Sequence, residues 1–173
     1  SCQTVFIDTE SYEEILEFGR EFLAYLERAA DSHPGGSPFV TGAISLRRYS
    51  EGLERIVYGE GAGWNRIFQG KGCSVTVCGD MELELSPMFG NCLIKRLPRN
   101  MAFRCLRRHK GHLQTAGLIC ARESREELEA LLCACGVSRI TGAGSMSALF
   151  DDGTHDGEYP LRRYVRFVDV EDS

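Results

Sequence analysis

The sequence predicts an α/β fold, a mostly parallel sheet flanked by helices, and two stretches carry that prediction. The first runs from Leu113 to Thr141. Leu113–Cys120 is an apolar run of strand length, and Ser124-Arg125-Glu126-Glu127 has the Ser-x-x-Glu form of a capping box that opens a helix. Leu128, Leu131, Leu132 and Cys135 then recur at helical spacing, and Gly136 stands where a left-handed cap would end the helix. Val137–Thr141 follows as a second strand, so the unit is strand-helix-strand, and a crossover of that length favours a parallel pair. The second stretch is N-terminal. Thr4–Asp8 reads as a strand, and Ser11-Tyr12-Glu13-Glu14 is another capping box. Ile15, Phe18, Phe22, Leu26 and Ala29 form one apolar face of a helix that stops before Pro34-Gly35-Gly36.

The remaining elements follow in order. Ile44, Leu53, Ile56 and Val57 suggest one or two further helical segments up to Gly59. Gly59-Glu60-Gly61-Ala62-Gly63-Trp64 is rich in glycine, but a helix precedes it and a strand follows. A phosphate-cradling fingerprint needs the reverse context, so this stretch reads as a mobile connection. From Gly72 the texture turns to strands. Cys73–Cys78 alternates small polar and β-branched residues, Gly79-Asp80 reads as a turn, and Met81–Leu85 alternates again, which predicts a hairpin. Ser86-Pro87 interrupts, and Cys92–Leu97 is a further strand ending at Pro98. Arg104, Arg107, Arg108, His109, Lys110 and His112 form one dense basic cluster, read as the exposed end of a short helix, with a surface for a phosphorylated cofactor as the alternative. Asp151–Gly157 is a turn-forming loop leading to a final strand at Val165–Asp169. His155 and Asp156 in that loop are either solvent-exposed or a pair that orients a side chain at a site.

Bulk properties set limits on function. With 173 residues, 43% of them apolar, the chain fits one packed domain carrying an appendage. A net charge of −5 argues against general attraction to nucleic acid or anionic membrane, and Phe103 is the only aromatic near the basic cluster. No apolar run approaches the roughly 18 residues of a spanning helix, and the N-terminus lacks a signal-peptide pattern, which places the protein in the cytoplasm. The eight cysteines include no Cys-x-x-Cys pair and sit mostly in apolar patterns, as reduced core thiols rather than metal ligands. The abrupt start, one step from a strand, suggests a fragment.

Five short motifs taken together resemble one family. Leu113–Leu118, Gly136–Ile140, His155-Asp156-Gly157, Pro160-Leu161 and Val165–Asp169 have the order and spacing of the C-terminal signature of the long-chain acyl-CoA reductases of bacterial luminescence, within the aldehyde dehydrogenase superfamily. Thr4–Asp8 with its helix, and Ser86-Pro87 before a strand, match the family's earlier catalytic segments more loosely. Two departures stand out: Phe167 replaces the family's usual tryptophan, and the acidic Phe150–Gly153 replaces a proline-rich segment.

The resemblance implies an aldehyde-dehydrogenase-like catalytic domain over residues 1–173, with 142–173 as a closing loop and strand appendage. It implies that a cysteine thiolate takes the acyl group of a long-chain acyl-CoA, and that NADPH, bound mainly by a domain absent from this chain, reduces the thioester to a fatty aldehyde. Cys2 is the only cysteine here that fits the nucleophile. Family spacing instead places the nucleophile a few residues upstream of residue 1, and both alternatives stand, the second favoured. His155 and Asp156 are the other candidate catalytic residues. The resemblance further implies a homo-oligomer paired through its closing strands, and a chain inactive by itself. Two rivals are a non-catalytic interaction domain of the same fold and, through Arg104–His112, a nucleic-acid binder.

Overall fold

The computed structural model describes residues 3–33, 36–58, 65–148, 154, 157–166 and 168–170. It divides into two compact units, Ser1–Cys105 and Leu106–Ser173.

In the first unit, β1 (Thr4–Ile7), β4 (Asn91–Arg96), β3 (Ser74–Cys78) and β2 (Arg66–Gln69) form a sheet in that spatial order. β1, β4 and β3 are mutually parallel, and β2 adds an antiparallel edge. The predicted amphipathic helix is α1 (Tyr12–Ser32), and its capping box works as read: the Ser11 side chain accepts from the Glu14 backbone N–H. Ile15 of α1 packs with Val75, Val77 and Ile94 of the sheet, all four wholly buried. Each such side chain contributes about 1.5–3 kcal/mol of burial. Gly19 lets the helix come this close, because a Cβ there would stand 2.5 Å from Val77 Cγ2. α2 (Pro38–Tyr58) follows and leaves Phe39, Leu46, Tyr49, Leu53 and Val57 exposed.

The hairpin differs from the sequence expectation. β3 does not turn back onto Met81–Leu85, which forms no strand; it pairs with β2 through the turn at Gly70–Cys73. The reason is occupancy. β3 lies inside the sheet with β4 on one edge and β2 on the other, so neither edge has hydrogen-bonding groups left for Met81–Leu85. The turn is fixed to α1, whose Glu27 carboxylate accepts from Lys71 N at 2.8 Å.

α3 (Arg99–Arg107) starts under Asp8, which accepts from Arg99 N at 2.8 Å and pairs with its guanidinium at 2.9 Å. In the second unit, β5 (Thr115–Leu118) and β6 (Arg139–Gly142) are the predicted parallel pair, joined by α4 (Arg122–Cys135). Gly136 ends α4 at φ 98°, and the N–H groups of Val137 and Gly136 return to Leu132 and Cys133 carbonyls. That is a Schellman cap. At the other end α4 starts two residues before Ser124, with Ala121 as the cap and no side-chain hydrogen bond. The second capping box is therefore not used as one, since Ser124 already lies inside the first turn.

The Arg139 guanidinium donates to the carbonyls of Ser145, Met146 and Ala148, holding a short turn after β6. The predicted final strand at Val165–Asp169 is not formed by its described residues, and Val165 and Val168 stay exposed. A strand exists through the hydrogen bonds of a neighbour, and no described segment of this chain supplies one there. Among the described residues, no helix is long and apolar enough to cross a membrane.

Candidate functional site

The parallel strands β1, β3 and β4 enter the main sheet at one edge, and the residues leading into β1 and β4 meet there. Side chains alternate across a sheet. Val75, Val77 and Ile94 face α1, so Ser74, Thr76, Cys78, Asn91, Leu93 and Lys95 take the opposite face. Residues 79–90, which connect β3 to β4 without helix or strand, are tied to that face at four points.

The deepest tie is Lys95. Its side chain has no exposed surface, and Nζ lies 2.6 Å from Asp80 Oδ1 and 2.7 Å from Glu84 Oε2. Burial by itself lowers the pKa of the ammonium. The hydrogen bonds to Asp80 and Glu84, with Cys78 alongside, outweigh it and hold the group above its ordinary value. The amine is a fixed cation at neutral pH and is unsuited to act as nucleophile or base. Next, Thr4 Oγ1 donates to the Glu84 carbonyl at 2.7 Å. Third, the Gln3 side-chain oxygen accepts from Ser86 N at 3.0 Å, and the Ser86 hydroxyl lies 3.5 Å from the same oxygen. Last, Asn91 Nδ2 donates to the Met88 carbonyl at 2.7 Å and to that of Phe89 at 3.2 Å.

The fourth tie supports an unusual backbone. Met88 (φ 61°), Phe89 (φ 47°) and Gly90 (φ 81°) are consecutive left-handed residues. Left-handed conformation in a non-glycine residue costs on the order of 1–3 kcal/mol. Ser86 and Asn91 compensate from both sides, for Met88 N donates to Ser86 Oγ at 3.0 Å and the Asn91 amide holds the two carbonyls. Ser86 and Asn91 are both 5% exposed, whereas Met88 and Phe89 are 40% and 45% exposed.

Of the sequence-predicted site residues, Cys2, His155 and Asp156 lie outside the described residues, as does the glycine-rich 59–64 stretch. Gln3 follows Cys2 directly in the chain. In the second unit, Gly157, Glu158, Tyr159 and Arg162 line a shallow recess just after His155-Asp156. None of the other cysteines is in a disulfide; Cys73, Cys78, Cys92, Cys105 and Cys135 are buried, and Cys120 and Cys133 are exposed. Burial pushes the Cys135 thiol up, with Arg107 opposing, which keeps it protonated and unreactive. The basic cluster is the C-terminal end of α3 and the turns after it, and Arg107 Nη1 donates to the Ala134 carbonyl near the end of α4. Cations are favoured at such helix ends. Among the described residues, no His, Cys, Asp and Glu side chains converge into a metal-holding group.

The profile of one protein family, described as acyl-CoA reductase (LuxC), matches residues 1–167. This chain belongs to that family. No curated protein matches it. The LuxC match spans both compact units, and so covers the edge built from Gln3, Ser86 and Asn91 as well as the β5–α4–β6 crossover. Sequence reading did not single out Gln3, Asn91 or Lys95 of this edge. For Lys95 the signal was present as a lysine directly after the apolar run Cys92-Leu93-Ile94 in a strand, preceded by acids at alternate positions 80, 82 and 84.

Proposed function

We propose that this chain supplies the catalytic part of a cysteine-dependent, NADPH-dependent reductase that converts long-chain acyl-CoA to a fatty aldehyde. The family match over residues 1–167 is the observation that carries the reading. A thiolate at or just before Cys2 attacks the thioester carbonyl, a carbon–sulfur bond to the protein forms, the bond to coenzyme A breaks, and the coenzyme A thiolate leaves. The role of the described edge is to hold the start of β1 still: Gln3 is fixed by Ser86 and Thr4 by the Glu84 carbonyl. His155 and Asp156 are the other residues proposed to take part in the reaction.

The nicotinamide supplies hydride when bound, but the turn from β1 into α1 does not fit its pyrophosphate. The turn from β1 into α1 contains no glycine, its Asp8 is held by Arg99, and α1 opens with Glu13 and Glu14, which repel a pyrophosphate. Binding of the NADPH pyrophosphate is therefore assigned to residues outside this turn, and this chain alone is expected to turn over no acyl-CoA. The reading places the protein in the cytoplasm as a homo-oligomer in which Val165, Val168 and Val170, exposed in the single chain, find an edge in a second copy.

The test is acylation without reductant. After incubation with a long-chain acyl-CoA, mass spectrometry of the full-length protein should show one acyl group on a peptide at or directly preceding Cys2, and NADPH should discharge it as aldehyde. A protein that takes up no acyl group, or takes it up equally after the cysteines of that region are replaced by alanine, overturns the reading.

A further inference from the structure

Local preference does not hold α2 in helical form. It carries Gly42 and Gly52 and the β-branched Val40, Thr41, Ile44, Ile56 and Val57, all poorer helix formers than alanine. Such a helix takes most of its stability from packing an apolar face. Among the described residues, no other element packs along it. Its apolar face lies open instead: Phe39, Leu46, Tyr49, Leu53 and Val57 are between 61% and 85% exposed. Phe39, Gly42, Leu46, Tyr49 and Leu53 follow one another at three and four residues, the alternation of a coiled-coil seam, and Val57 extends it by four. Ala43, Ser45 and Ser50 flank the seam. Charges at flanking positions select a foreign helix, and these residues carry none.

We propose that α2 is a self-association surface, on which a second copy of this chain lays its own α2 antiparallel. The seam is complementary to itself in that direction. With a twofold axis at the middle of the helix, Leu53 of one copy stands opposite Gly42 of the other, Leu46 opposite Tyr49, and Phe39 beside Val57. A Cβ on Gly42 would meet nothing within 4 Å, so the space that Leu53 fills is open. A parallel pair would set Gly42 against Gly42 and leave that space empty. Burying the five exposed side chains in both copies removes about 1,100 Å² from water, above the roughly 1,000 Å² that a specific interface needs. The pairing is separate from the one proposed through Val165, Val168 and Val170, and it does not depend on the reductase chemistry.

The experiment follows the particle mass of the full-length protein by sedimentation over a range of concentrations, with helix content read by circular dichroism. Gly42→Leu replaces a poor helix former by a good one and blocks the space that Leu53 needs. Association should weaken at least tenfold, with the mass falling by half where the wild-type protein is paired and helix content not reduced. Adding Leu53→Ala to Gly42→Leu restores a large residue opposite a small one and should recover the pair. Leu46→Glu with Leu53→Glu should also halve the mass. An unchanged mass in Gly42→Leu, or a loss that Leu53→Ala does not recover, overturns the antiparallel pair. So does a glutamate variant that unfolds at lower temperature without a change of mass, which would put this face of α2 against its own chain.

Discussion

Two connections in this molecule solve the same problem in opposite ways. Parallel strands β5 and β6 are joined by α4, and parallel strands β3 and β4 are joined by residues 79–90, which contain no helix or strand. A crossover helix satisfies its own backbone and needs the rest of the molecule only at its ends, where Gly136 and the returning N–H groups of Val137 and Gly136 close α4. The 79–90 connection instead borrows partners from the sheet: Lys95 for its carboxylates, Thr4 and Asn91 for its carbonyls, Gln3 for Ser86. A connection built from long-range side-chain contacts can hold conformations no helix permits, including the consecutive left-handed residues Met88 and Phe89. It should also be the one that side-chain changes undo.

The largest expected effect lies at Lys95. Replacing Asp80 by Asn and Glu84 by Gln together leaves a wholly buried ammonium without counter-charge, and denaturant unfolding should show a loss of about 3 kcal/mol. A loss below about 0.5 kcal/mol would mean that the connection does not depend on this pair. The pH dependence has a defined sign. The pKa of Lys95 is raised in the folded protein, so its stabilisation is fully present below the unfolded lysine value of about 10.4 and is lost as pH climbs through the higher folded value. Alkaline unfolding should be blunted in Lys95→Met.

Asn91→Ala comes next, at about 2 kcal/mol, because it strips the Met88 and Phe89 carbonyls of a buried donor and leaves the Ser74 hydroxyl without its acceptor. Amide exchange should speed up in residues 86–91 and stay unchanged in α4; equal acceleration in both would erase the contrast. In the helical connection the sensitive position is Gly136, where alanine must adopt φ 98° with its Cβ 2.6 Å from Lys110 Cγ. The expected loss is about 1–2 kcal/mol in thermal unfolding, since the lysine tail can move and the backbone cannot. The smallest effect compares the two capping boxes. Ser11→Ala should cost about 1 kcal/mol, because its oxygen accepts from Glu14 N, whereas Ser124→Ala should cost less than about 0.5 kcal/mol, because Ala121 is the cap. Equal losses would contradict the observed start of α4.

These contrasts track what could be read from residues alone. α1, α4, β1, β5 and β6 announce themselves through short-range chemistry: a serine three residues before a glutamate, apolar residues at helical spacing, a glycine where a left-handed residue is needed. Met81–Leu85 misled because alternation reports a residue's preference for a pleated surface and cannot report whether a sheet edge is free. Val165–Asp169 misled in the same way. β2 was anticipated only as an unlocated strand after the glycine-rich stretch, since Arg66–Gln69 is only four residues with two exposed.

By itself the sequence determined the α/β class, the parallel β5–β6 pair with its helical crossover, and the family, because each depends on spacings within a few residues or on the order of motifs along the chain. Only the tertiary structure decided which strands neighbour one another in the main sheet, that Lys95 is a buried cation gripping residues 80 and 84, and that Gln3 is joined to Ser86. The Gln3–Ser86 bond joins residues 83 positions apart, and nothing local distinguishes such a bond from its absence until the sheet brings its ends together.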